Sequence, residues 1–115
     1  LRKDSPCYVP KVKVDVQRII DIIHKAGGFA VMAHPKLVSS DEYVVEMLNF
    51  DFDGMEVYHS KHNDDDVERY KEFAKKHKLF ITGGSDYHGI VGKKPDRFGD
   101  YLVSGKDVSE FISLL

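Results

Sequence analysis

The sequence predicts an α/β fold built on a parallel sheet, and three observations predict it. Amphipathic helical stretches alternate with short continuous apolar runs. The connections between them are short. Each apolar run gives way to a turn carrying histidine or aspartate. Continuous apolar runs suit strands buried on both faces, and strict helix–strand alternation favours right-handed βαβ units. In such folds, function gathers at the carboxyl ends of the strands.

Pro6 and Pro10 bracket Cys7-Tyr8-Val9 as an extended lead-in. From Asp15 the pattern turns helical. Val16, Ile19, Ile20, Ile22 and Ile23 form an apolar stripe, Asp15 is the expected cap, and Gly27-Gly28 the stop. Phe29-Ala30-Val31-Met32-Ala33 reads as the first strand, closed by His34-Pro35, since Pro35 cannot continue a central strand. Ser40 or Asp41 caps a second helix holding Val44, Val45, Met47 and Leu48. A turn over residues 51–54 leads to the strand Met55-Glu56-Val57-Tyr58. Asn63 and aspartates 64–66 then favour a helix N-terminus, with Val67, Tyr70, Phe73 and Ala74 turned inward. Lys75, Lys76 and Lys78 suit its C-terminal end. Leu79-Phe80-Ile81-Thr82 is the third strand. Residues 90–100 read as a Gly- and Lys-rich loop, Tyr101-Leu102-Val103 as a short fourth strand, and Asp107 as the cap of a last helix with Val108, Phe111, Ile112 and Leu115.

The 115 residues are about one domain's worth. A net charge of -2 excludes a broad basic footprint for nucleic acid, so such a substrate would be held locally. One cysteine excludes an intrachain disulfide and, with six histidines, points to a reducing cytoplasm. No apolar run approaches the roughly 18 residues of a membrane span. The opening stretch from Leu1 to Pro6 reads as a connection cut open, which predicts a fragment of a longer protein.

The chemistry concentrates in three turns. In Ser85-Asp86-Tyr87-His88, an extended backbone would send the Asp86 and His88 side chains to one face, where carboxylate and imidazole can grip a metal or share a proton. His34 closes the first strand, and His59 and His62 follow the second. Singly, each has a plainer reading: His34 as a loop histidine, Asp86 as a turn residue, His59 and His62 as solvated loop residues. Glu56 is either a ligand or a paired strand carboxylate. His24 and His77 read as surface residues, and Lys93 and Lys94 as solvated, with anion binding the alternative. Jointly, imidazoles and a carboxylate at three strand ends predict a metal site, and mixed nitrogen and oxygen donors suit Zn, Mn or Fe. The donor count is low for a hydrolytic centre.

Three ordered motifs resemble the PHP (polymerase and histidinol phosphatase) superfamily. They are Gly27-Gly28-Phe29-Ala30-Val31-Met32-Ala33-His34-Pro35, Gly54-Met55-Glu56-Val57-Tyr58-His59-Ser60-Lys61-His62 and Thr82-Gly83-Gly84-Ser85-Asp86-Tyr87-His88-Gly89. The similarity is to the branch of nucleoside-bisphosphate phosphatases and RNase AM, and Tyr8-Val9-Pro10 resembles that branch too. The resemblance implies the C-terminal portion of a distorted (βα)7 barrel, with residues 1–115 as a partial PHP domain. It implies His34, Asp86 and His88 as metal ligands, Asp86 and His88 on different ions of a two- or three-metal cluster. It implies His62 near a substrate phosphate, with His59, Lys61 and Lys36 as further substrate contacts. The activity it implies is metal-dependent hydrolysis of phosphate esters of nucleotides or short RNA. Alternatives on the same scaffold are a histidinol-phosphate phosphatase, a polymerase-associated nuclease, or a non-catalytic domain that binds metal or anions. The family's opening His-x-His motif is absent. The expected partner is therefore the N-terminal half of the same barrel, and exposed edges would favour a homo-oligomer of the fragment.

Overall fold

A computed structural model describes residues 14–38, 40–89, 98–99 and 101–115. The lead-in before residue 14, the loop at 90–97 and Lys93 and Lys94 lie outside the described residues.

Helix α1 spans Val16–Lys25, and the Asp15 carboxylate accepts the Arg18 amide at 3.1 Å. It stops as the glycine pair predicts. The Gly27 amide donates to His24 O and the Gly28 amide to Ile23 O, the paired bonds of a Schellman ending. Strand β1 is only Val31–Met32, shorter than its apolar run. A 3-10 turn over Pro35–Leu37 leads to α2, Asp41–Met47, where Ser40 rather than Asp41 caps by accepting the Tyr43 amide. Strand β2 is Gly54–His59. Helix α3, Asp64–His77, begins with a reciprocal capping box between Asn63 and Asp66. Strand β3 is Phe80–Gly84.

The strands pair in parallel in the order β1-β2-β3. Parallel neighbours in chain order favour right-handed crossovers, which put successive helices on one face of the sheet, and α2 and α3 share one core there. The core lies between them: Met32, Met55 and Val57 from the sheet pack with Val44, Leu48, Tyr70, Ala74 and Leu79. Gly54 and Gly83 hold the strand pairing close. A Cβ on Gly54 would lie 2.3 Å from the Phe80 ring, and one on Gly83 would lie 2.6 Å from Tyr58 Cβ and Val103 Cγ2. The barrel expectation is met to the extent of this parallel α/β sheet.

Two expectations near the C-terminus are corrected. Residues 101–103 form no strand, and the last helix, α4, is the short Ser109–Ser113 with no side-chain cap. β-branched and aromatic residues favour a strand only where a partner edge supplies hydrogen bonds, and Val103 instead meets β3 through side-chain contact. Ile112 and Leu115 are exposed. On α1, Ile19 and Ile22 of the apolar stripe are also exposed, as is Val45 on α2. No helix among the described residues is long and apolar enough to cross a membrane.

Candidate functional site

The parallel sheet sends all three strand ends to one rim. His34 stands two residues past β1, His59 ends β2, and Asp86 lies two residues past β3. The irregularity in pairing between Glu56 and Tyr58 opposite β3 re-aims the end of β2. Tyr58 then packs on the core beneath Lys71 of α3, while Glu56 and His59 both approach His34.

The His34 and His59 rings meet edge to face with centroids 5.7 Å apart. His59 Nε2 is 3.8 Å from Asp86 Oδ2, and His88 Nδ1 is 3.8 Å from Asp86 Oδ1. A row of His34, His59, Asp86 and His88 thus crosses the rim. Behind it, the His62 ring lies 5.3 Å from His59 and 5.0 Å from Tyr70. Ser60 Oγ ties the two far loops together by donating to Ser85 O at 2.9 Å.

Hydrogen bonds assign the imidazole tautomers. The Lys61 amide donates to His59 Nδ1 at 3.2 Å, so in neutral His59 the proton sits on Nε2. His62 is the reverse: Nδ1–H donates to Val57 O at 2.7 Å, leaving the lone pair on Nε2. His88 Nδ1–H donates to Asp86 O at 2.6 Å, so its exposed Nε2 carries a lone pair. His59 and His62 are buried, and neither Nε2 has a hydrogen-bond partner among the described residues. Buried polar atoms without partners cost free energy and mark places where a further group belongs. Burial holds His59 below the ordinary imidazole pKa. The carboxylates of Glu56 and Asp86 oppose that shift, and His62 and His34 add to it.

Two residues of the rim have a left-handed backbone. His34 has φ 31 and Asp86 φ 56. Such residues cost about 1–3 kcal/mol, and His and Asp are among the types found there most often. At Asp86 this corrects the extended backbone expected for residues 86–88. The two side chains are close because the chain turns and His88 bonds back to Asp86 O, not because a strand alternates.

No family model matches the chain. It is 35% identical over 82 residues to the phosphoribosyl 1,2-cyclic phosphate 1,2-diphosphodiesterase of Eggerthella lenta, covering 71% of this chain and 31% of that protein. It is 32% identical over 93 residues to the 3′,5′-nucleoside bisphosphate phosphatase of Chromobacterium violaceum, covering 76% of this chain and 33% of that one. For the 5′-3′ exoribonuclease Rnm of Escherichia coli the values are 31% over 93 residues, 76% and 32%. A solved structure from Bifidobacterium adolescentis, provisionally described as a metal-dependent phosphoesterase, aligns with TM-score 0.67 at 32% identity, over 97% of this chain and 41% of that one. An amidohydrolase from Chromobacterium violaceum, solved with bound sulfate and no metal, aligns with TM-score 0.62 at 30% identity, over 76% and 32%.

The chain is a homologue of the PHP-type phosphoesterases. It spans about a third of the length of the curated relatives it matches.

In this PHP-type homologue, His34, His59, His62, Asp86 and His88 come together at the rim. Lys61 is exposed beside them. Lys36 is engaged elsewhere: its ammonium pairs with Asp66, which also binds Arg69 Nη2 at 2.7 Å. His59 and His62 are buried, which corrects the solvated-loop reading of both. His24 stays near the surface, where Nε2 meets Asp53 Oδ2 at 2.7 Å. Among the described residues no three His, Cys, Asp or Glu side chains stand close enough to hold an ion by themselves.

Two contributors were not legible in the sequence. Asp66 looked like a helix-capping charge, yet it also anchors Lys36 in the turn after His34. Burial works against its ionisation but is outweighed by Lys36, the Asn63 amide and Arg69, so its pKa is lowered. Ser60 offered no signal at all; its role follows from the parallel register that sets it beside Ser85.

Proposed function

We propose that this chain is the C-terminal part of a metal-dependent phosphoesterase domain, acting in the cytoplasm on phosphate esters of nucleotides or short RNA. One observation carries the reading: three strand ends converge on a row of imidazoles and a carboxylate, with two buried ring nitrogens that have no partner among the described residues. The names of its relatives support the substrate class, since those proteins act on a cyclic phosphate, a nucleoside bisphosphate and RNA.

The donor set fits part of a metal centre. His88 suits an ion through Nε2, because its Nδ1–H is committed to a carbonyl, the arrangement that fixes a ligand histidine. His34 and Asp86 are the other proposed ligands. A divalent ion, Mn, Zn or Fe, would supply Lewis-acid charge against the phosphoryl oxygens. His59 fits a different role. With Nδ1 occupied by the Lys61 amide, neutral His59 presents Nε2–H and donates to an anionic oxygen of the substrate or of Asp86. His62 presents a lone pair when neutral and becomes a second donor to phosphate when protonated. Lys61 adds an exposed positive charge. Lys36 reaches phosphate only by leaving Asp66.

Among the described residues the ligand set is incomplete, since no three acidic, His or Cys groups there stand close enough to share an ion. The expected partner is the rest of the same barrel, and alone the chain turns over little or nothing. The test is hydrolysis of a nucleoside 3′,5′-bisphosphate with Mn²⁺ by the chain and by the longer protein that carries it. Turnover by the longer protein alone supports the reading; robust turnover by the chain refutes the incomplete site, and none by either refutes the activity.

A further inference from the structure

We infer that Glu56 is a positioning residue that holds His34 at the rim through its main chain. This rests on the reading of His34 as a functional side chain, but its geometry is independent of that reading. Strands β1 and β2 pair at Val31 with Gly54 and Met32 with Met55, and there the ladder ends. Beyond it the chain turns into the left-handed conformation at His34, with φ 31 and ψ 62, just before Pro35. A backbone amide that leaves a ladder in a partly buried place needs another acceptor. The acceptor is the Glu56 carboxylate: the His34 amide donates to Glu56 Oε2 at 2.7 Å across 22 positions of sequence.

Glu56 is well placed for this. It faces Thr82 in the β2–β3 register, so it stands on the middle strand between the two outer strand ends. Its second oxygen points across β3, where a Cβ added to Gly84 would lie 3.6 Å from Oε1. An acceptor on the middle strand fixes where β1 departs, and therefore where the His34 ring meets His59. Glu56 thus acts through His34 and needs no contact of its own with substrate.

The experiment compares Glu56→Gln with Glu56→Ala. The glutamine keeps a carbonyl oxygen and the shape, and the alanine removes both. In the chain itself, amide hydrogen exchange at His34 is followed by NMR. Alanine is expected to speed that exchange about tenfold or more, and glutamine to restore most of the protection. In the longer protein, Mn²⁺ affinity is expected to fall about 10–100-fold with alanine, as for lost supports behind metal ligands, and to stay near wild type with glutamine. Exchange at His34 unchanged in the alanine variant overturns the proposal. A loss of Mn²⁺ as large with glutamine as with alanine also overturns it, making the carboxylate itself a ligand. If the wild-type longer protein takes up no Mn²⁺, the metal reading fails, and the His34 exchange alone decides the role of Glu56.

Discussion

His59 Nε2 stands 3.8 Å from Asp86 Oδ2, so the end of β2 faces the turn after β3. His59 is fully buried, its Nδ1 is taken by the Lys61 amide, and its Nε2–H has no closer acceptor among the described residues. That combination suits a donor better than an ion ligand. In the longer protein, His59→Ala should raise KM for a nucleoside bisphosphate about tenfold, the scale of one hydrogen bond to a charged group. His59→Gln, which keeps an N–H donor, should lose less. Steady-state kinetics of both variants provides the check; an alanine variant with wild-type KM contradicts the assignment.

Asp66 sets a dependence on pH. Burial disfavours its charge, but the Lys36 bond, the Asn63 amide and the charges of Lys36 and Arg69 outweigh burial, so the folded carboxyl titrates below its unfolded value. For such a group the stabilisation is present above the unfolded value, about 3.9, and is lost as pH falls through the lower folded value. Asp66→Asn should cost about 1–3 kcal/mol at pH 7, since Lys36 and Arg69 are partly solvated. Below about pH 4 the gap between variant and wild type should narrow. Urea melts at pH 7, 4 and 3 measure it.

Gly54→Ala should loosen the sheet. The added Cβ would meet the Phe80 ring at 2.3 Å, and Phe80 is itself buried against the Phe29 and Phe111 rings. Overpacking of this kind costs about 1–3 kcal/mol. A denaturant midpoint equal to wild type would show that the ring moves aside freely.

Most of the scaffold was legible because apolar period and helix caps agree. Asp15, Ser40 and Asn63 cap where their side chains suggest, and β2 follows its apolar run to within a residue. What failed depended on partners. Gly83 and Gly84 have poor strand propensity, yet they extend β3 because β2 pairs alongside. Tyr101-Leu102-Val103 has the propensity and no paired edge. The rim was legible as a set of strand-end histidines. Its wiring was not, because the bond from the His34 amide to Glu56 needs both a left-handed turn and a register that no local pattern encodes.

His34, Asp86 and His88 substitutions should act together. In the longer protein, His34→Ala, Asp86→Asn and His88→Ala should each reduce bound Mn²⁺ and lower turnover, and chelation should abolish the activity of the wild type. Removing even a support behind such ligands costs about 10–100-fold in affinity, so loss of a ligand should cost at least that. Metal analysis after dialysis, paired with the turnover assay, checks it.

The most direct measurement is anomalous diffraction from crystals of the longer protein grown with Mn²⁺. The expected result is a peak within about 2.0–2.3 Å of donor atoms on His34, Asp86 or His88, at the rim where the three strands end. Manganese bound only elsewhere, with those three side chains free of it, would contradict the account.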